Sequence, residues 1–167
     1  MTRSRLPIRP RARVFWCLAT AVLLGGTALS GCSSSASAAA KTQDTPVLKV
    51  TGAYVRQPPT DDMAAGYFTI ANTGGKPDKL TGVSSDDAGS VSMHRTTAQN
   101  QMEPVKSFTI PADGSLVLSS GGNHLMLMGF KTKPKVGQTI TLRLRFASSA
   151  SITVRAPVKP TTYQPST

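Results

Sequence analysis

Short runs of alternating apolar and polar residues follow one another through most of the chain. Within residues 139–146 the apolar side chains fall on one face and the polar ones on the other: Ile140, Leu142, Leu144 and Phe146 against Thr141, Arg143 and Arg145. A period of two is typical of a strand that covers a core. The predicted strands are 47–56, 65–74, 79–85, 89–94, 106–110, 115–120, 124–130, 138–146 and 151–158.

The links between these strands are rich in turn-forming residues, as in QPPTDD, GKPD, PADG and GGN. Aromatic residues are few, and long runs of helix formers are missing outside the N-terminus. About nine short strands at this spacing predict one all-β domain, a sandwich or a barrel, over residues 46–158.

Strand 124–130, HLMLMGF, carries unusual chemistry on one face. The same alternation puts Leu125 and Leu127 on one side and His124, Met126 and Met128 on the other. Side chains two residues apart on a strand start only about 6.6–6.8 Å apart at their Cα atoms. If the leucines are core, neighbours on the opposite face could reach one ion.

The remaining histidine and methionines are also grouped. His94 follows Met93, and Met102 comes one short loop later, so that only Met63, apart from the initiator, lies far from both histidines. Taken singly, a methionine is most often core filling, and a histidine is most often a surface or hydrogen-bonded residue. The clustering favours a metal site.

Residues 1–31 are predicted to be a lipoprotein signal peptide. Five arginines precede an apolar segment from about Val14 to Leu29, which ends in LSGC. This ending resembles the lipobox of bacterial lipoproteins, in which the cysteine, here Cys32, becomes the lipidated first residue of the mature protein. The alternative is a transmembrane helix, which needs roughly 20 apolar residues.

Two segments flank the predicted domain. Residues 32–45 are small and polar and predict a flexible tether with a root-mean-square reach of about 20 Å. Residues 159–167, a polar tail containing proline, are predicted to be disordered. The protein is therefore expected to be extracytoplasmic, in the periplasm or its equivalent, and anchored to the membrane by its N-terminal lipid.

Processing simplifies the thiols and the charge. With Cys17 removed and Cys32 lipidated, the mature domain has no free thiol and no internal disulfide, so a metal would be held without thiolate. Removing five arginines leaves 14 basic against 8 acidic side chains. The basic residues are scattered, which leaves a solvated surface or an acidic partner open; nucleic acid is not expected outside the cell.

The motif MH…M…HLMLMG, preceded by AAGYFTIANTG and followed by KVGQTITLRLRF, resembles the periplasmic copper-A chaperone family, PCu(A)C. The resemblance covers roughly Leu48 to Val158 and implies a cupredoxin-like Greek-key β-sandwich. The family pattern is a histidine, a methionine, 21 residues, and then His-x-Met. Here 21 residues separate Met102 from His124, and Met126 completes His-x-Met. The family has ten residues between the first histidine and methionine, whereas this chain has seven.

The resemblance implies a Cu(I) site formed by His94, Met102, His124 and Met126. Met93, Met128 and Met63, the last in the predicted loop before strand 65–74, are possible accessory residues. Two imidazoles and two thioethers are a soft, neutral set that suits Cu(I) and offers little to Mg, Ca or Mn. Zinc would be expected to recruit cysteine or carboxylate as well.

The function implied is a copper chaperone and not an enzyme. No catalytic triad, paired carboxylates or phosphate-binding loop can be assembled from the sequence, and the His2Cys set of blue-copper proteins is missing. The resemblance implies a monomer that delivers copper to the copper-A centre of cytochrome c oxidase, either to subunit II or to another copper-assembly protein. The alternatives are copper sequestration or resistance, and a structural or adhesive β-sandwich lipoprotein without metal.

Overall fold

The structure, a computed structural model, describes residues 44–58 and 63–165. The predicted signal peptide, the lipidated Cys32 and most of the tether lie outside the described residues. Within the described ranges, no helix is long and apolar enough to span a membrane.

The described residues form ten β-strands. They are β1 Leu48–Arg56, β2 Met63–Asn72, β3 Asp78–Ser84, β4 Ala88–Thr96, β5 Met102–Pro104, β6 Phe108–Ile110, β7 Gly114–Val117, β8 Asn123–Phe130, β9 Thr139–Phe146 and β10 Ile152–Lys159. Nine of them match the predicted strands, with ends that differ by at most three residues.

The strands are arranged as two sheets that share one seam. The strand order in the first sheet is β5-β4-β8-β2-β1, and β7 pairs with the C-terminal half of β2. The strand order in the second sheet is β10-β9-β3-β6. A short parallel pairing of β1 with β10, at Val55–Val158 and Arg56–Lys159, joins them. Neighbouring strands within each sheet pair antiparallel, as expected for short strands linked by turns.

The hydrophobic core takes side chains from both sheets. β8 contributes Leu125 and Leu127 and β9 contributes Leu142 and Leu144, all fully buried, while Thr141 on the alternate face of β9 is exposed. The predicted division of these strands into two faces is therefore confirmed. Each large apolar side chain buried in this way stabilises the fold by roughly 1.5–3 kcal/mol.

The core lies entirely within one compact unit, Ala39–Thr167. This unit contains all ten strands and neither cysteine of the chain. Because the unit contains every core residue of the described part of the chain, it is expected to fold without the residues before it.

Asn72 is a buried polar residue whose hydrogen bonds are all supplied by the fold. It is 1% exposed, and its side-chain oxygen accepts from the backbone N–H groups of Val47 and Gly74. Its amide nitrogen donates to the carbonyls of Lys76 and Pro111. One side chain thus connects the segment before β1, the link between β2 and β3, and the residue that follows β6.

Asp78 is a second satisfied buried group. Burial by itself raises the pKa of its carboxyl, but hydrogen bonds from the Ser149 side chain and from the backbone of Lys79, Ser148 and Ser149 outweigh it. The net effect holds the pKa of Asp78 below its ordinary value.

The described part of the C-terminal tail packs on the domain and so differs from the predicted disordered tail. Lys159 is the last residue of β10, and the Tyr163 ring lies edge-on to Tyr54 at 5.0 Å. The Arg56 guanidinium donates to the Tyr163 carbonyl at 3.0 Å. The tail is mostly polar, but its one aromatic residue, Tyr163, packs against Tyr54 of β1.

Candidate metal centre

The register between β4 and β8 places both histidines on one face. His94 lies directly opposite His124, and Ser92 lies opposite Met126. Residues directly opposite one another on antiparallel strands share a face, with Cβ atoms about 4.5–5.5 Å apart. His94, His124 and Met126 therefore project together, away from the buried leucines of β8.

The hairpin between β4 and β5 brings Met102 to the same side. Thr96 pairs with Met102 and His94 with Pro104, which places Met102 diagonally across from His94. Diagonal Cβ atoms are roughly 7–8 Å apart, within reach of a long side chain. All four predicted ligands thus lie on the outer face of the first sheet, which we call the metal-site face.

The seven residues between His94 and Met102 include a short hairpin loop. The Thr97 N–H donates to the Gln101 carbonyl, and the Asn100 N–H donates back to the Thr97 carbonyl. Asn100 adopts a left-handed conformation, φ 57°, which asparagine tolerates better than most residues. The shorter loop therefore closes as a tight hairpin and keeps Met102 in register.

A turn before β8 orients the His124 ring. Its Nδ1–H donates to the Gly122 carbonyl at 2.9 Å, and that carbonyl also accepts from the Thr96 N–H at 3.2 Å. The turn depends on Gly121, which has φ +78° and so favours a residue without Cβ. With the proton on Nδ1, the lone pair of His124 is left on Nε2.

His94 is held by its own strand. Its Nε2 lies 3.0 Å from the Ser92 hydroxyl oxygen. In the tautomer that donates this hydrogen bond from Nε2, the lone pair is on Nδ1. The His94 and His124 rings lie nearly parallel, with centroids 5.8 Å apart and planes inclined by 24°.

The two remaining imidazole nitrogens lack partners. Among the described residues, the buried side-chain polar atoms without a hydrogen bond are Nδ1 of His94, Nε2 of His124 and Nε of Arg56. An unsatisfied buried polar atom costs about 1–3 kcal/mol, so proteins rarely keep one without a use. Two such nitrogens on facing histidines fit metal ligands that point away from their orienting hydrogen bonds.

Electrostatics favour the neutral form of His94. Burial, and then the neighbouring His124, lower the pKa of His94 below its ordinary value of 6.5. A neutral imidazole has the lone pair that a metal requires. The ring is therefore ready to bind an ion at neutral pH without first losing a proton.

The two thioethers differ in exposure. Met126 is half-buried, whereas Met102 is 62% exposed. Both line an open groove of about 680 Å³ together with His124 and Met63. The described residues contain no group of three or more His, Cys, Asp and Glu side chains able to hold a metal. On the metal-site face, the soft donors that lie beside the two imidazoles are the thioethers of Met102 and Met126.

The accessory residues separate into two classes. Met93 is opposite Leu125, 7% exposed and part of the core, so the structure does not bring it to the metal-site face. Met63 and Met128 are paired across β2 and β8 and are exposed on the same side as Met126. Met63 begins β2 instead of lying in a loop before it, which corrects its predicted position.

Comparisons with known proteins identify proteins of similar sequence and fold. The LpqE-like family of predicted lipoproteins matches residues 48–158. A predicted lipoprotein of Leifsonia xyli subsp. xyli, Lxx21020, is 36% identical over 145 residues, covering 83% of this chain and 85% of that one.

Two solved structures share the fold. The copper-bound PCuAC domain from PmoF2 matches with a TM-score of 0.60 and 24% identity, over 68% of this chain and 92% of that domain. The solution structure of Cu(I)-bound DR1885 from Deinococcus radiodurans matches with a TM-score of 0.58 and 36% identity, over 73% of this chain and 83% of that one. The predicted resemblance and the cupredoxin-like β-sandwich are confirmed.

Proposed function

Because the chain belongs to the LpqE-like lipoprotein family, we propose that it is an extracytoplasmic, lipid-anchored Cu(I) carrier. Its ligands are His94, Met102, His124 and Met126. The observation that carries this proposal is the pair of buried, unpartnered nitrogens, Nδ1 of His94 and Nε2 of His124. The Cu(I) form of DR1885, 36% identical, supports the choice of metal.

The ligand chemistry selects Cu(I) over other ions. Thioethers bind soft ions, and imidazole is an intermediate donor that Cu(I) also accepts. The four donors carry no charge, so a divalent ion would gain little compensation for its lost hydration. Hard ions such as Mg²⁺ and Ca²⁺ prefer oxygen ligands, which the four donors do not include.

Transfer, and not chemistry on a substrate, is the expected activity. Met102 is 62% exposed and lies on a three-residue edge strand, whereas His124 is 6% exposed. A thioether at such a position can be displaced by a ligand from a partner while the histidines still hold the ion. Stepwise exchange of this kind keeps the copper bound throughout the transfer.

The destination we propose is the copper-A centre of cytochrome c oxidase, on subunit II or through another copper-assembly protein. Sequestration, in which copper is held and not passed on, is the alternative with the same site. A carrier must release the ion to its recipient, whereas a storage protein must not. The exposed Met102 favours the carrier.

The binding proposal is tested by anaerobic Cu(I) titration of the unit 39–167 against a chromophoric chelator. The unit contains no cysteine, so thiols do not contribute to binding. We expect one tight equivalent, and a loss of at least about 100-fold in affinity in Met102→Leu/Met126→Leu, equivalent to about 2.7 kcal/mol. The matched control is Met93→Leu, the same exchange on the core face, which should leave the affinity unchanged.

Two results would contradict the proposal. Absence of a tight equivalent in the unchanged protein would favour the adhesive or structural alternative. Equal losses in Met93→Leu and in Met102→Leu/Met126→Leu would mean that the substitutions act through folding.

The destination requires a separate experiment. Copper-loaded unit 39–167 is mixed anaerobically with a copper-free copper-A domain in the presence of the chelator, the two proteins are separated, and the copper bound to each is measured. Transfer that the chelator cannot intercept supports direct delivery, whereas retention of the ion supports sequestration. In cells, deletion should lower oxidase activity when copper is scarce and have less effect when copper is plentiful.

The membrane anchor is tested at Cys32. The Cys32→Ala protein should leave the membrane fraction and appear in the soluble fraction, with copper affinity of the domain unchanged. Retention of the variant in the membrane would support the transmembrane alternative for the N-terminal segment.

A further inference from the structure

Met63 and Met128 stand outside the four-residue centre, yet they share its face. They are directly opposite each other on β2 and β8, and the next pair on this face is Ala65 with Met126. Directly opposed Cβ atoms are about 4.5–5.5 Å apart, so two flexible thioethers on them can approach a single ion.

Core filling does not account for this pair. Met63 is 42% and Met128 is 41% exposed, whereas Met93, the methionine that fills the core, is 7% exposed. A single exposed methionine is ordinary, but two that face each other beside a third, Met126, form an exposed thioether patch.

The pair is continuous with the proposed copper centre. Met63 lines the same open groove as Met102, Met126 and His124. Met126 is diagonal to Met63 across β2 and β8, at roughly 7–8 Å between Cβ atoms, with only the small Ala65 directly opposite it. An ion at the pair therefore has a path to the centre along neighbouring thioethers.

Among the described residues, the strand positions paired with Met63 and Met128 carry no carboxylate, and Arg56 is the charged residue that lines the same groove. The residue opposite Met128 on its other side is Ser90 on β4, and the strand positions between the pair and the centre are Ala65 and Ser92. Two neutral sulfur atoms bind a soft monovalent ion and have little affinity for Mg²⁺ or Ca²⁺.

We propose that Met63 and Met128 form a second, weaker Cu(I) site through which copper reaches and leaves the four-residue centre. This inference rests on the proposed function and extends it. The copper remains Cu(I) throughout. On passing from the centre to the pair it loses Met102 and the neutral imidazoles of His94 and His124 and gains Met63 and Met128, with Met126 next to both sites, so no electron or proton is transferred. Binding at the pair is weaker because it has two donors and no imidazole.

Binding of Cu(I) by Met63 and Met128 is tested by NMR. The unit 39–167 is labelled with ¹³C at the methionine methyl groups and titrated anaerobically with Cu(I). The first equivalent should shift the methyl signals of Met102 and Met126. Further Cu(I) should shift those of Met63 and Met128. In Met63→Leu/Met128→Leu the first step should remain with unchanged affinity, and the second step should disappear.

Transfer of copper through Met63 and Met128 is tested by stopped-flow measurement of the release of one bound Cu(I) to a chelator. We expect Met63→Leu/Met128→Leu to release copper at least about tenfold more slowly, at unchanged affinity. Met93→Leu is again the control, because it makes the same exchange in the core and should release at the original rate.

The outcomes separate the inference from the proposed function. If the first equivalent binds but the Met63 and Met128 methyl signals never move, the second site is overturned and the copper centre stands. If these signals move but the release rate is unchanged in Met63→Leu/Met128→Leu, the pair binds Cu(I) but does not carry it to and from the centre, and that part of the inference is overturned. If no first equivalent binds, the proposed function itself fails, whatever the pair does.

Discussion

Both faces of β8 contain buried residues, but the two faces differ in how their buried groups are satisfied. Leu125 and Leu127 are fully buried on one face, and His124 is only 6% exposed on the other. The leucines meet apolar neighbours from both sheets, whereas His124 retains a ring nitrogen without a partner. Burial alone does not distinguish a core from a site; hydrogen-bond satisfaction does.

Asn72 sharpens the same contrast. It is more deeply buried than His124, at 1% exposed, and both of its amide atoms are engaged, by four backbone groups. A buried polar side chain that serves only the fold is expected to be satisfied in this way. The unsatisfied nitrogens of His94 and His124 fit the Cu(I) ligation proposed above.

The largest expected effect comes from breaking the core face. Leu127→Ala removes a fully buried side chain and should lower the free energy of unfolding by about 2–5 kcal/mol, measured by urea denaturation. Met126→Leu, one residue earlier on the opposite face, should change it by less than about 1.5 kcal/mol. Equal destabilisation by the two variants would show that both faces are core.

An intermediate effect is expected at Gly121. Gly121→Ala places a side chain at φ +78°, where nothing lies within 4 Å, so the cost is conformational and should be about 1–2 kcal/mol. Because the turn positions the carbonyl that orients His124, Cu(I) affinity should also fall. Gly137→Ala, at φ +91° with equally open space, is the matched control and should lose stability but not affinity. If the two variants bind Cu(I) with equal affinity, the Gly121 turn does not position a ligand of the site.

The smallest effect concerns pH. Burial and then His124 lower the pKa of His94 in the folded protein, so the unfolded chain binds a proton there more readily than the folded chain does. The metal-free protein should therefore lose stability as the pH falls below about 6.5, and this loss should level off below the folded pKa. Thermal unfolding between about pH 7.5 and pH 5 checks it, with His94→Gln expected to show a weaker dependence. An unchanged dependence in His94→Gln would assign it to other groups.

Much of the fold was predictable because alternation reports burial directly. Strands such as β8 and β9 have large apolar residues at every second position, and their faces were assigned correctly from this pattern. β5 was missed because all three of its residues, Met102–Pro104, are exposed. It is a strand only because β4 offers a pairing edge, and a pairing edge leaves no local pattern.

Two other differences between the predicted and the observed structure also result from contacts between segments that are distant in sequence. Met63 lies where β2 extends to pair with Met128, beyond the apolar alternation that marked the start of the strand. Tyr163 packs against Tyr54, and its carbonyl accepts a hydrogen bond from Arg56, 107 residues earlier in the chain. Contacts over such separations are decided by the fold as a whole and not by neighbouring residues.

The sequence by itself determined the all-β class, the alternation of faces and the soft donor types, because each depends on residue chemistry and local spacing. Tertiary structure decided which of these donors meet. Met93 and His94 are neighbours in sequence, yet the pleat sends one to the core and the other to the metal-site face. The register of β4, β5 and β8 then aligns residues from separate strands, because hydrogen bonds between strands, and not sequence proximity, set which side chains are opposed.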